Sequence, residues 1–318
     1  MPPVFTILLP VMRPPVLLPF AIESVLAQRV GDFELLVVCD GAPAETIACA
    51  RHYAGRDPRV QVLVFPKGER HGEAHRHAAL AGAAGRYVAH IGDDDLWFPD
   101  HLGELALLLA QADFGNLLHV YLHRGGRVEI LPGDIGLPAM RERMLGEKFN
   151  LFGPTVAGYR LAAYRALPEG WSPAPPDLWV DLHMWRKFLR MENLVFATRA
   201  VVTALVFSTP HRHDVSLAQR EVENRTYLER IRDPKRRNEI VESAWHSLLD
   251  RDLQSERQVA VLDAARDGLA AKLARATALA TAQEDEIDNM RGSRSWRLTA
   301  PLRKCFALAA RLHGSLRQ

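Results

Sequence analysis

The chain has 318 residues, 48% of them hydrophobic and 25% charged, with a formal net charge of +2. Those figures describe an ordinary globular protein with room for one large domain and appendages, and they exclude whole-protein attraction to nucleic acid. Cys39, Cys49 and Cys305 have no metal-type spacing, and an odd count this low fits a reducing compartment.

Val4 to Leu9 reads as a buried first strand stopped by Pro10, and Leu17 to Ala27 as a helix with Leu18, Ala21, Ile22, Val25 and Leu26 on one face. Phe33 to Cys39 is a second buried strand ending at Asp40-Gly41. A helix over Ala44 to Tyr53 and a strand over Val60 to Phe65 follow. A helix over Gly72 to Ala84 then leads into the strand Tyr87 to Ile91. This alternation predicts an open parallel α/β sheet over about the first 95 residues, with ligands collecting beyond the carboxyl ends of its strands.

Beyond residue 100 the pattern loosens. Leu102 to Leu109 is predicted helical, and Leu117–Leu122 with Arg127–Leu131 form a hairpin across Arg124-Gly125-Gly126. Residues 132–155 read as loop-rich, Asp177–Met191 as a helix and Ala197–Phe207 as a late strand. Ser216–Leu253 is polar and helical. Residues 253–290 read as a long helix with a heptad seam of Val259, Leu262, Leu269, Leu273, Ala276, Ala280, Ile287 and Met290, interrupted by Arg266 and Gln283. That seam serves equally for a coiled-coil homodimer and for packing on the body. The expected organisation is 1–215 as the main domain, 216–252 as a helical extension, 253–290 as the long helix and 291–318 as a tail.

The most informative stretch is Gly92-Asp93-Asp94-Asp95-Leu96-Trp97. Three adjacent carboxylates at a strand end repel one another unless a cation or ligand neutralises them, and oxygen ligands there suit Mg²⁺ or Mn²⁺. The alternative is a solvated acidic turn before the helix that Pro99-Asp100 starts. A dinucleotide-binding fold is excluded because the turn Pro10-Val11-Met12-Arg13-Pro14-Pro15 has no glycine. A zinc-protease site is disfavoured because Glu73 does not directly follow His71 in His71-Gly72-Glu73-Ala74-His75. Those histidines read instead as facing solvent or an anion at a helix N-terminus.

Thr6–Pro10, Ala21–Gln28, Phe33–Gly41, Gly72–His77 through Val88, and Gly92–Pro99, in that order, resemble the opening segments of the family-two nucleotide-sugar glycosyltransferases. The likeness is close over residues 4–105 and looser to about 215. It implies a GT-A fold, Rossmann-like with a mostly parallel central sheet and flanking helices, followed here by a C-terminal helical extension. It also implies a sugar-nucleotide donor, a divalent metal (Mn²⁺ or Mg²⁺) and inversion at the anomeric carbon. By the same resemblance, Pro10, Val11 and Asp40 line the base, Arg76 sits near the phosphates, and Asp93 and Asp95 form the DxD pair. Asp94 is an alternative metal or ribose contact, and His213 approaches the metal. The family's first acid is Gly92 in this chain and the acid before Asp40 is Cys39; both are departures.

Asp181, in Asp181-Leu182-His183-Met184-Trp185-Arg186, resembles the family's acceptor-side acid. It is the expected general base, with Asp177 in reserve. The tail around Ser293-Arg294-Ser295-Trp296-Arg297 resembles a segment of bacterial surface-polysaccharide glycosyltransferases. Arg291, Arg294, Arg297, Arg303, Lys304, Arg311 and Arg317 surround an apolar face, and no acid lies between 291 and 318. That suits an anionic membrane surface as well as a partner helix.

The expected activity is therefore metal-dependent transfer of a sugar to a glycan or lipid-linked acceptor in surface-polysaccharide synthesis. The alternatives are a nucleotidyltransferase, for which residues 10–16 supply no glycine-rich phosphate loop, and a catalytically inactive scaffold acting through its helices. With no signal-peptide pattern and no membrane-spanning run, the expected location is cytoplasmic, peripheral on the inner face of the membrane.

Overall fold

The computed structural model describes residues 2–207 and 214–305. The first part follows the expected alternation: β1 (Phe5–Val11), α1 (Leu18–Leu26), β2 (Phe33–Asp40), α2 (Ala44–Ala54), β3 (Val60–Phe65), α3 (Glu73–Ala81) and β4 (Tyr87–His90). The four strands lie side by side in the order β3-β2-β1-β4, all parallel. β1 is central to this half because it pairs with β2 on one side and β4 on the other, and its residues 5 to 9 are fully buried. The register sets Val11 against Cys39, Asp40 against Phe65 and Leu8 against His90. Three strands therefore release their chains at one edge, beside Asp93 to Asp95.

The second part comprises β5 (Leu96–Trp97), α4 (His101–Leu109), β6 (Phe114–Leu122), β7 (Val128–Ile130), α5 (Pro138–Gly146), β8 (Ala157–Arg160), α6 (Leu161–Arg165), α7 (Val180–Leu189), β9 (Phe196–Val206) and α8 (Leu217–Arg232). The sheet continues β4-β8-β6-β9-β5, with β8 antiparallel to both β4 and β6 and β9 parallel to β6. Inserting β8 ends the parallel half and carries Thr155 to the acidic edge. The predicted hairpin is present: Val120 faces Ile130 and Leu122 faces Val128, with Gly125 and Gly126 at positive φ in the turn.

The loop-rich stretch holds one α-helix, and one expectation needs correction. Residues 132–155 contain α5, whose apolar signal is weak because Met144 alone is buried on it. The helix expected from Asp177 starts at Val180, after Pro175-Pro176, so Asp177 lies exposed in the preceding loop.

α8 opens with a capping box: the Ser216 hydroxyl accepts from Gln219 N–H, and the Gln219 amide accepts from Ser216 N–H at 2.9 Å. Its Tyr227, Leu228 and Ile231 join Ile240 and Ala244 in a second apolar cluster over β5, β6 and β9. Each such buried aliphatic side chain contributes roughly 1.5–3 kcal/mol. The helix expected from 253 begins earlier, as α9 (Pro234–Gly292), and α10 (Arg294–Leu298) follows.

The chain divides into two compact units, Met1–Asp250 and Arg251–Gln318. Within the second, Val259, Leu262, Leu269, Leu273, Ile287 and Met290 are exposed. Among the described residues no helix is long and apolar enough to cross a membrane.

Candidate active site

Asp40 ends β2 with its carboxylate buried and accepts from Lys67 Nζ at 2.7 Å and Gly68 N–H at 2.6 Å. The loop after β3 wraps around it. His75 stacks on Phe65 with ring centroids 4.5 Å apart and brings Nε2 to 3.6 Å from Asp40. Gly72, at φ +70°, leans on the acid so closely that a Cβ there would sit 2.5 Å from Asp40 Cγ, which requires glycine on both counts.

The acidic triplet divides its labour. Asp93 is held bidentate by Arg13, through Nε at 2.6 Å and Nη2 at 2.5 Å. Asp94 bridges Arg13 Nη2, at 2.9 Å, and Arg220 from the first turns of α8. Asp95 is buried, accepting from the Thr155 hydroxyl and from Phe207 N–H at 3.0 Å. Burial, with Asp94 adding repulsion, pushes its carboxyl up to about 7. Three carboxylates thus face two guanidiniums. Gly92 is part of this crowding, since a Cβ there would lie 2.8 Å from Asp95 Oδ2.

Asp93 and Asp94 are turned onto arginines, and among the described residues no three His, Cys, Asp or Glu side chains converge on one point. The donor set nevertheless fits a hard divalent cation: it is all oxygen, and three carboxyl groups meet only two guanidiniums. His213 and His211 lie outside the described residues.

Arg76, on α3, is half-buried, with its guanidinium 5.0 Å from the Trp171 ring and Nη2 donating to His71 O at 3.2 Å. Its Nε is buried without a partner. Burial pushes the guanidinium down, opposed by Glu73, Asp181 and Asp40. Asp181 occupies the first turn of α7, accepting from Leu182 N–H at 2.8 Å and from Asn150 Nδ2 at 2.7 Å. Burial raises its carboxyl above the usual range.

Pro10, Val11, Asp40, Arg76, Asp93 and Asp95 line one cavity of about 370 Å³, together with His71, His90 and Pro154. Asp181 lines a second, of about 880 Å³. The two share His71, Arg76 and Pro154 as a common wall. Asp94 lies behind the first cavity, against Arg220.

The sequence pattern of glycosyl transferase family 2 matches residues 6–167. The chain belongs to this family. Among its relatives, the putative glycosyltransferase EpsE of Bacillus subtilis is 25% identical over 175 residues, covering 53% of this chain and 60% of EpsE. The uncharacterized protein y4gI of Sinorhizobium fredii is 38% identical over 102 residues, covering 31% of this chain and 11% of y4gI. The chain therefore spans less than two thirds of either relative. The crystal structure of S. aureus TarS 1-349 superposes with a TM-score of 0.51 at 16% identity, over 71% of this chain and 68% of that one. That likeness is one of fold, and the fold is GT-A.

Three residues of this family-2 site were not foreseen. Arg13 stands in the proline-rich turn, where nothing local marks its charge as a counter-ion for residues 80 positions away. Lys67 gave no signal beyond following Pro66. Arg220 lies 126 residues from its partner Asp94, and the only available hint was the Ser216–Gln219 cap that fixes the start of its helix.

Proposed function

We propose that this protein is a metal-dependent, inverting glycosyltransferase that moves a sugar from a nucleotide-sugar donor to a glycan or lipid-linked acceptor in surface-polysaccharide synthesis. The observation that carries this reading is the pair of cavities sharing a wall at Arg76, with Asp93 and Asp95 in one and Asp181 in the other. Donor and acceptor each have a compartment, and the bond to be exchanged falls between them.

On this reading Pro10, Val11 and Asp40 hold the nucleotide base, and Arg76 offers a fixed positive charge where the diphosphate departs. Asp93 and Asp95, with His213, would hold Mn²⁺ or Mg²⁺, and Asp94 would reach the donor once Arg220 or Arg13 yields. A bound cation supplies charge stabilisation for the departing nucleotide. Asp181 takes the proton of the acceptor hydroxyl as that oxygen attacks the anomeric carbon. Attack from the Asp181 side, opposite the diphosphate, inverts the configuration.

A thermal-shift screen of nucleoside diphosphates and sugar nucleotides, with and without Mn²⁺, tests this. Stabilisation follows affinity, so the true donor stands out and its effect needs the metal. If no sugar nucleotide raises the melting temperature under either condition, the reading fails.

The exposed heptad positions of α9 support a homodimer through this helix, and the basic tail supports peripheral contact with the inner face of the membrane. Basic residues near anionic lipid gain on the order of 1 kcal/mol each, and salt weakens the attraction. Deleting residues 253–318 is expected to leave a monomer that no longer pellets with anionic vesicles at low salt yet keeps donor affinity. Deleting 291–318 alone is expected to remove only the pelleting. Sedimentation and vesicle co-pelleting measure both, and unchanged pelleting would assign the tail to packing or a partner.

A further inference from the structure

The cavity in front of Asp181 has a composition that the general reaction does not require. Asp181 is the single acid among its lining residues, against Arg70, Arg76 and Lys148. Arg76 already faces Glu73, Asp181 and Asp40. Arg70 and Lys148 are exposed, and neither is paired with a carboxylate among the described residues. Trp179, the residue before α7, leaves 49% of its surface exposed. Lys148 Nζ lies over one face of its ring, 5.4 Å from the centroid, which fixes the cation beside the indole and leaves the opposite face for a ligand.

Arg70 is placed at a cost. It is the only non-glycine residue at positive φ among the described residues, at 52°. A backbone in that region persists where its surroundings dictate it. Here the surroundings are the loop around Asp40: Lys67 Nζ donates to Arg70 O at 3.1 Å, and Gly72 N–H donates to Glu69 O at 2.9 Å. The result carries the Arg70 guanidinium across the cavity to Leu178 O, at 3.3 Å, next to Trp179. Two uncompensated cations thus flank one exposed indole at the mouth of a site whose floor is the general base.

We propose that this cavity selects an acceptor saccharide bearing an anionic substituent, a phosphate or a carboxylate. The sugar lies on Trp179, the anion sits between Arg70 and Lys148, and a hydroxyl points to Asp181. A flat apolar ring face accepts the C–H face of a pyranose. Exposed cations attract an anion with a strength that falls as salt rises. The proposal deepens the glycosyltransferase reading and rests on its assignment of this cavity to the acceptor.

The test is calorimetric titration of the full-length protein with neutral methyl hexosides, the corresponding uronates and hexose phosphates, at low and high salt. Anionic sugars are expected to bind about tenfold more tightly than neutral ones at low salt, with the gap narrowing at high salt. The uronate and phosphate arms tell which anion is preferred. Arg70→Gln/Lys148→Gln should erase the preference, and Lys148→Gln alone, at an exposed position, should halve it or more. Trp179→Ala should weaken neutral and anionic sugars alike. Equal affinity for the two classes, no measurable binding of either, or a preference that survives in the double variant overturns the proposal. Sugar-nucleotide affinity is measured on the same samples and is expected to be unchanged. Anion preference without sugar-nucleotide binding by the wild type would sink the glycosyltransferase reading and leave this cavity an anionic-saccharide site.

Discussion

Asp181→Asn is expected to lower turnover by about two to four orders of magnitude, the range for losing a general base, with nucleotide affinity unchanged because residue 181 faces the second cavity. The substitution is well tolerated by its surroundings. Asn150 donates to Asp181 and keeps its own Oδ1 buried without a partner, so a flip of that amide accepts from the new one. Burial raises the Asp181 carboxyl, so the wild-type rate should climb as pH rises through that elevated value and level off above it, where the base is ionised. The variant should lack this limb. The stability sign runs the other way: a carboxyl whose folded-state value is raised favours folding most at low pH and loses that contribution as pH rises through its folded value. No drop in melting temperature at neutral pH is therefore expected on removing the charge. Single-turnover kinetics across pH decide the matter, and a variant with a near-normal chemical step excludes Asp181 as the base.

The second large effect is expected at Asp95. Both Asp95→Asn and Asp95→Ala should abolish Mn²⁺-dependent nucleotide affinity, and transfer should fall below detection. The two differ in stability. Asp95 accepts from the Thr155 hydroxyl and from Phe207 N–H, and alanine leaves both buried donors without their acceptor, a loss of about 1–3 kcal/mol for each. Asparagine keeps an oxygen in place and should melt near the wild type. Calorimetry with and without Mn²⁺, paired with thermal melts, separates the roles. An asparagine variant that retains the full effect of Mn²⁺ on nucleotide binding would show that Asp95 is a structural carboxyl only.

Legibility in the sequence followed sequence separation. β1, β2 and β4 were plain because each is a buried apolar run next to a helix of recognisable period, and the carboxylates at or just beyond the ends of β2 and β4 came with them; β3, at the edge, was read from its apolar residues though only Val60 is buried. Asp40 and Asp93 to Asp95 could therefore be placed at one sheet edge from the pattern alone, whereas Arg76, on a helix, was named only through the family resemblance. The mixed half of the sheet was harder: β8 has four residues, and its place between β4 and β6 depends on pairings that no local pattern encodes. α5 escaped because it buries one side chain and so has no apolar stripe to read. The counter-ions of the acidic triplet were missed for a different reason. An arginine has no periodicity, and its partner is defined only once the chain has folded, as Arg13 with Asp93 and Arg220 with Asp94 demonstrate.

The bridge from Asp94 to Arg220 also bears on how the site comes into being during synthesis. When the residues of the family match, 6–167, have left the ribosome, the triplet exists with Arg13 as its one counter-ion from the β1 turn. The second arrives only when the first turns of α8 emerge, 126 positions after Asp94. Counted from Asp94, at about 5–20 residues per second, that is a wait of roughly 6–25 seconds. Through that interval the nascent sheet carries an acidic edge short of positive charge, open to any divalent cation in its surroundings.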